Sequence, residues 1–170
     1  MANLSIEAVC FSRETYCLIE SFECGDSDYA KLCEDWIKGV PPHQCAFLSI
    51  EKRKTRVWIF TYLGVVIGYG SLGPNKFEGK TIGYIPMFAV ASDYQSKEIN
   101  GQRVSKFIIN FLLDKSRELD WPRVCLMVGK ENEKAIRLYR SMGFSSFKDL
   151  DKFGNMRMCI QLKIGAPSIS

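Results

Sequence analysis

This sequence predicts an α+β, or mixed α/β, domain built on one central sheet, on three observations. Runs of β-branched and aromatic residues occupy the middle of the chain. Segments with apolar residues at helical spacing stand before, between and after them. Gly, Pro and Asn mark the joints between the two patterns. The order reads helix, hairpin, long strand, helix, strand, helix, hairpin, which suits helices packed on a single sheet.

Residues 26–39 (DSDYAKLCEDWIKG) place Tyr29, Leu32, Cys33, Trp36 and Ile37 on one helical face. Asp26 or Ser27 caps the start, Gly39 ends the helix and Pro41-Pro42 forbids its continuation. Residues 57–63 (VWIFTYL) and 65–72 (VVIGYGSL), with Gly64 between them, read as a hairpin. Residues 73–80 are polar and contain Gly and Pro, so they read as a loop. Residues 82–91 (IGYIPMFAVA) are apolar nearly throughout, like a strand buried on both faces. Pro86 removes one ladder donor there and predicts a bulge or an unpaired edge.

Val104, Phe107, Ile108, Phe111 and Leu112 form one stripe, so a helix is expected from about 101 to 119, stopped by Trp121-Pro122. Residues 123–128 (RVCLMV) read as a short buried strand. Asn132 can cap the next helix, where Ala135, Leu138, Tyr139 and Met142 share a face and Gly143 fits the C′ position. Residues 144–147 and 156–163 make a closing strand pair, joined through 152–155, and the tail GAPSIS is expected to fray. No repeat or linker interrupts the chain, so residues 1–170 read as one domain.

Composition narrows the function class. The 170 residues are 46% hydrophobic and 25% charged, as in a globular protein able to bury a large core. The net charge of +4 is compatible with an anionic ligand or RNA but demands neither. Lys52-Arg53-Lys54 reads as a solvated turn. The seven cysteines are odd in number and form no CxxC pair, and His43 is the only histidine, so no zinc or other metal site is expected. The start MANLSIEAVC lacks the features of a signal peptide, and free thiols in a cytoplasmic protein are the expectation. No apolar run approaches the ~20 residues of a membrane span.

Residues 94–101 (YQSKEING) invite a chemical reading. A strand that ends in a turn and enters a helix exposes backbone N–H groups that favour an anion, phosphate above all. Asn100 is the best non-glycine residue for a left-handed angle, and Gly101 follows it. Glu98 either caps the helix or lies beside the phosphate, with Lys97 and Arg103 to offset its charge.

FAVASDYQSKEING, together with RVCLMVGKENEKAIRLYRSMGF, resembles the GNAT superfamily of acyl-CoA-dependent N-acyltransferases. The family turn, Gln or Arg, two residues, Gly, one residue, Gly or Ala, falls on Gln95, Ser96, Lys97, Glu98, Ile99 and Asn100, with Glu98 and Asn100 in the glycine positions. The second motif matches Asn132, Ala135, Ile136, Tyr139, Gly143 and Phe144. The resemblance is clearest over residues 57–163. It implies a mixed sheet of about six to seven strands flanked by helices. It also implies acetyl-CoA as cosubstrate, held by Phe88, Ala89 and Val90 along the pantetheine, by the turn from Gln95 to Gly101 at the pyrophosphate, and by Asn132.

Acyl transfer from a thioester to an amine needs a neutral amine, a stabilised carbonyl oxygen and a leaving thiolate. The resemblance implies Tyr139 as the acid for the thiolate, with a backbone N–H near Val90 as oxyanion donor; otherwise Tyr139 belongs to the apolar stripe. Many relatives carry a glutamate on the strand before the turn, and residues 82–91 have none. Tyr84, a held water or an amine of low pKa takes the place of that base. Cys125 reads as core and His43 as a loop residue. The expected activity is direct N-acetyl transfer to a primary amine on a small molecule, a peptide or an aminoacyl-tRNA. The last follows from SFECGDSDYAKLCEDWI, which resembles a segment of toxin-type acetyltransferases. A CoA-binding module without chemistry is the rival reading. The oligomeric state stays open, a homodimer included.

Overall fold

The computed structural model describes residues 5–10, 55–147 and 151–163. The predicted helix over 26–39, the segment 52–54, His43, the tail 165–170 and most of the cysteines lie outside these residues.

The main sheet has eight strands. They are β1 (Glu7–Cys10), β2 (Arg56–Tyr62), β3 (Val65–Phe77), β4 (Lys80–Ile85), β5 (Phe88–Val90), β8 (Arg123–Gly129), β9 (Ser145–Ser146) and β10 (Asn155–Gln161). The order is β1-β2-β3-β4-β8-β10-β9, with β5 paired to β3 off this path. Counting β4 and β5 as one interrupted strand brings the sheet within the expected size. Only β4 and β8 run parallel; the other pairs are antiparallel. A second sheet consists of β6 (Glu98–Ile99) and β7 (Gln102–Arg103). The described helices are α1 (Val104–Glu118) and α2 (Glu133–Ser141).

Both helices lie on one face of the main sheet. Phe107 and Phe111 of α1 meet Phe60 edge-on at 6.1 and 5.2 Å, and Phe111 meets Trp58 at 5.5 Å. Each such pair adds about 0.5–1.5 kcal/mol beyond the area it buries. Ile108, Ile109, Leu112 and Leu113 complete the buried stripe. The helix comes so close to β3 that a Cβ on Gly68 would stand 2.6 Å from Ile108 Cδ1 and 2.7 Å from the Ala89 carbonyl oxygen. Bare backbone at this point lets α1 settle on the sheet. Val124, Leu126 and Val128 of β8, Met158 of β10, and Ile136 and Tyr139 of α2 belong to the same core.

Four expectations are corrected. Residues 73–80 are not a loop: β3 runs on to Phe77 and turns through Glu78-Gly79 into β4, with both turn residues at positive φ (49° and 76°). Strand pairing there overrides the local signal of Gly73 and Pro74. The helix over 101–119 begins only at Val104, because Asn100 and Gly101, at φ 53° and 75°, close the β6–β7 hairpin. Positive φ at both central residues is the turn that matches strand twist, and Asn-Gly is its strongest sequence signal. Strand β9 holds only two residues, and β10 spans Asn155–Gln161. Finally, Cys125 and Cys159 are not free thiols: they face each other in register on β8 and β10, with Cα atoms 4.1 Å apart, and form a disulfide. A pairing across 34 residues depends on strand register, which local patterns do not carry.

Candidate active site

The sheet forks at Pro86. Strand β4 pairs with β8 through Gly83↔Val124, Tyr84↔Cys125 and Ile85↔Leu126. Proline has no N–H to continue that ladder. Buried Ser71 secures the break: its N–H donates to the Met87 carbonyl at 2.9 Å, and the Met87 N–H donates to the Ser71 hydroxyl at 3.0 Å. The chain then proceeds as β5 on β3, and no ladder joins β5 to β8 among the described residues.

The hydrogen-bond alternation sets which groups face the gap. Met87 accepts from Ser71, and the Ala91 N–H donates to the Ile67 carbonyl at 2.9 Å, so residues 87, 89 and 91 point toward β3. In an antiparallel ladder the intervening residues point the other way. Phe88 and Val90 therefore direct N–H and C=O into the gap, while Ala89 is bonded within the sheet. A strand edge of this kind accepts an extended ligand bearing amides.

Beyond β5, residues 92–103 form the rim. Several main-chain donors of the predicted phosphate turn are already used: Gln95 N–H bonds the Ser92 carbonyl at 3.3 Å and Lys97 N–H the Tyr94 carbonyl at 3.2 Å. Ile99 pairs with Gln102 in the hairpin, and its side chain is buried in the core. Glu98 does not fold over the turn. Its carboxylate meets Arg103 Nε at 3.7 Å across the hairpin, both side chains exposed. Asn100 and Gly101 make the hairpin tip; Ser96 is exposed beside Lys97, whose ammonium stands 4.9 Å from the centre of the Tyr94 ring. At the start of α1 the Val104 N–H is taken by the Lys97 carbonyl at 3.2 Å, and no side chain caps the helix, so the N–H groups of Ser105 and Lys106 stay available.

Helix α2 stands on the other side of the gap. Asn132 is its N-cap, the Oδ1 atom accepting from the Ala135 N–H at 3.0 Å. Its Nδ2 hydrogens have no partner among the described residues. Lys134 Nζ donates to Gln95 Oε1 at 2.9 Å, which ties α2 to the rim of the turn. One turn later, Tyr139 is buried beside Phe144, with ring centres 5.8 Å apart. Burial pushes its phenol up to about 12. The hydroxyl bonds no described residue, and among the described residues no buried side-chain polar atom is left unsatisfied, so its oxygen emerges at the boundary of the core. Tyr84 lies on the opposite face of the sheet, packed with Ile82 and the disulfide.

Around the fork stand the β5 edge with Phe88 and Val90 and, tied to the rim through Lys134 and Gln95, helix α2 with Asn132 and Tyr139, while the residues from Ser96 to Gly101 form a hairpin beside it. Lys134 was not singled out in the sequence; its Lys-after-Asn spacing puts it in the first turn of α2, where the turn is within reach. A shallow cavity of about 240 Å³ lies elsewhere, between Arg56, Trp58, Pro74, Lys115, Leu119 and Trp121. No helix among the described residues is long and apolar enough to cross a membrane.

Solved structures share this architecture. A ribosomal-protein-alanine N-acetyltransferase from Brucella melitensis superposes with a TM-score of 0.68 at 21% identity, covering 92% of this chain and 99% of that one. The yncA protein of Salmonella typhimurium, solved with its cofactor acetyl-CoA, gives 0.65 at 19% identity over 97% and 99% of the two chains. The NatC complex bound to Gag peptide and CoA gives 0.62 at 18% identity over 94% and 99%. No curated protein sequence matches the chain. The model of the acetyltransferase (GNAT) family matches residues 18–144, and the chain belongs to that family.

Proposed function

We propose that the protein is an N-acetyltransferase that moves the acetyl group of acetyl-CoA directly to a primary amine. One observation carries this reading: β5 turns the main-chain groups of Phe88 and Val90 into a gap that β8 leaves open, with α2 tied to the rim beside it by Lys134. Acetyl-CoA supplies the activated acetyl group when bound. Phe88, Ala89 and Val90 form the edge for its amide-bearing arm, and Asn132 Nδ2 offers a further donor. The rim from Gln95 to Gly101, with the start of α1, receives the phosphates. The Val90 N–H polarises the carbonyl oxygen that gains charge. Tyr139 stays neutral and donates from its hydroxyl to the leaving sulfur. No carboxylate stands on β4 or β5, so the amine reaches the site already neutral, or loses its proton to water or Tyr84.

The rival, a CoA-binding module without chemistry, has one point in its favour: the β6–β7 hairpin spends main-chain donors on itself. Two readouts separate the readings. Acetyl-CoA at ~100 times its Kd should stabilise the chain by about 2.7 kcal/mol in thermal unfolding. Thiol release from acetyl-CoA, followed with small amines, peptides and charged tRNA as acceptors, should exceed the hydrolysis background. Stabilisation without release favours the module; neither effect removes both readings.

A further inference from the structure

The sheet face opposite α1 and α2 carries a second constellation. Arg123 of β8 and Arg157 of β10 are both half-buried, yet neither forms an ion pair with a carboxylate among the described residues. Their guanidinium carbons lie 5.6 and 5.1 Å from the centre of the same Phe77 ring, and Arg123 also lies 5.1 Å from Phe147. Phe77 and Phe147 meet edge-on at 5.2 Å and cover the Cys125–Cys159 disulfide. The amide oxygen of Gln161, oriented by its hydrogen bonds, accepts from Arg123 at 2.9 Å, a neutral acceptor for a charged donor. Arginine is seldom withdrawn from water without an anion. Here two like charges converge on one aromatic pair, with no counter-charge among the described residues. Ring faces stabilise such cations without using their N–H edges; Gln161 occupies the Nε–Nη2 edge of Arg123, while the guanidinium N–H groups of Arg157 have no partner among the described residues and suit a planar oxyanion.

The position ties the Arg157 end of this cluster to the fork, while Arg123, opposite Gln161, stands at the other end of the β4–β8 ladder. Arg157 stands opposite Met127 on β8, one residue past the last β4–β8 pair, Ile85↔Leu126. The described helices occupy the other face, where the acyl donor would lie against α1 and α2. In direct transfer the second substrate needs its own approach, on the side away from the acyl donor. We propose that Arg123 and Arg157 form an oxyanion-binding site, and that it holds a carboxylate or phosphate carried by the acceptor close to its amine. The second half rests on the acetyltransferase reading; the first does not.

Arginine Nε–H signals of the whole chain, followed by NMR during titration with inorganic phosphate, test the site itself. Those of Arg123 and Arg157 should move together with one midpoint. Arg157→Gln should weaken the response at Arg123 about tenfold, the scale of one charge-assisted bond. Signals that stay still, or move independently, overturn the site. Thiol release from acetyl-CoA with Gly-Asp, Gly-phosphoserine, Gly-Asn and Gly-Lys tests the acceptor. The anionic pair should have a KM about tenfold below Gly-Asn with similar kcat. Arg157→Gln should erase that preference and Arg157→Lys restore part of it; comparing Asp with phosphoserine separates carboxylate from phosphate. Equal KM values, a preference that survives Arg157→Gln, or no release from any of the four while acetyl-CoA still stabilises the chain would overturn the acceptor assignment. If acetyl-CoA does not stabilise the chain, the acetyltransferase reading fails, and the arginine signals alone decide the anion site.

Discussion

Replacing Tyr139 by phenylalanine removes one oxygen from a buried ring and nothing else. Burial holds the phenol at about 12, whereas an ordinary thiol ionises near ~8.5. Complete proton transfer to a thiolate would then run uphill by ~3.5 units, or roughly 5 kcal/mol at 1.36 kcal/mol per unit. Tyr139 is therefore expected to act as a hydrogen-bond donor to the sulfur as charge develops, not as a freely exchanging acid. Losing such a bond to a charged group costs about 1.5–3 kcal/mol, so kcat should fall roughly ten- to hundredfold. The KM for acetyl-CoA should hold, because the bond forms only as the sulfur leaves. Stability should also hold within ~0.5 kcal/mol, since the hydroxyl bonds no described residue and the ring keeps Phe144 at 5.8 Å. The pH dependence gives a second check. At pH 10 a phenol of pKa ~12 is about 1% ionised, whereas an unshifted one is half ionised. The wild-type kcat should thus show no falling limb from this residue up to that pH. Thiol release under saturating acetyl-CoA and urea unfolding measure both sides. Unchanged kcat, or a loss confined to KM, would refute the reasoning.

Three further outcomes follow from the packing and the caps. Asn132→Ala should cost ~1 kcal/mol of stability through the lost α2 cap and also weaken acetyl-CoA; Asn132→Asp, which keeps the cap oxygen, should restore stability but not affinity, as thermal unfolding with and without cosubstrate can read. Gly68→Ala should destabilise by roughly 1–3 kcal/mol in urea, because its methyl meets the fixed Ala89 carbonyl oxygen as well as Ile108; a neutral result would mean that α1 can lift from β3 at no cost. Asp151 is held below its usual carboxylate range by the N–H of Asn155 first, then by the Asn155 side chain and the Phe153 N–H. A lowered folded pKa makes this contribution present at neutral pH and lost as pH falls through that value, so the gap in thermal midpoint between wild type and Asp151→Asn should close in acid. A gap independent of pH would assign the effect to something other than the carboxylate.

Local pattern carried much of the fold. The β2–β3 hairpin followed from VWIFTYL and VVIGYGSL around Gly64, the break at Pro86 from the missing N–H, and α2 from Asn132, its apolar spacing and Gly143. The candidate residues from Phe88 to Val90 and from Asn132 to Tyr139 fall where motif and element coincide. Asn100-Gly101 carries the hairpin signal in plain sight, but it lies against an amphipathic stripe whose spacing alone extends the helix back to about 101. The pieces that escaped depend on register between distant strands. Cys125 and Cys159 look like unrelated core cysteines until β8 and β10 align. Arg123, Arg157, Phe77 and Phe147 stand on separate strands or beside them, and nothing in their spacing announces that they share one face. The same is true of Gln95 and Lys134, which meet across 39 residues.

Amide hydrogen exchange at Phe88, Ala89 and Val90, with and without acetyl-CoA, tests the central claim most directly. The N–H groups of Phe88 and Val90 face the gap and should exchange quickly in the free protein, then become protected when acetyl-CoA is present. Ala89, already bonded to β3, should be slow in both states. Protection of Phe88 and Val90 in the free chain, or no change on adding acetyl-CoA at concentrations that stabilise the protein, would contradict it: the fork would then not be where the acyl donor binds.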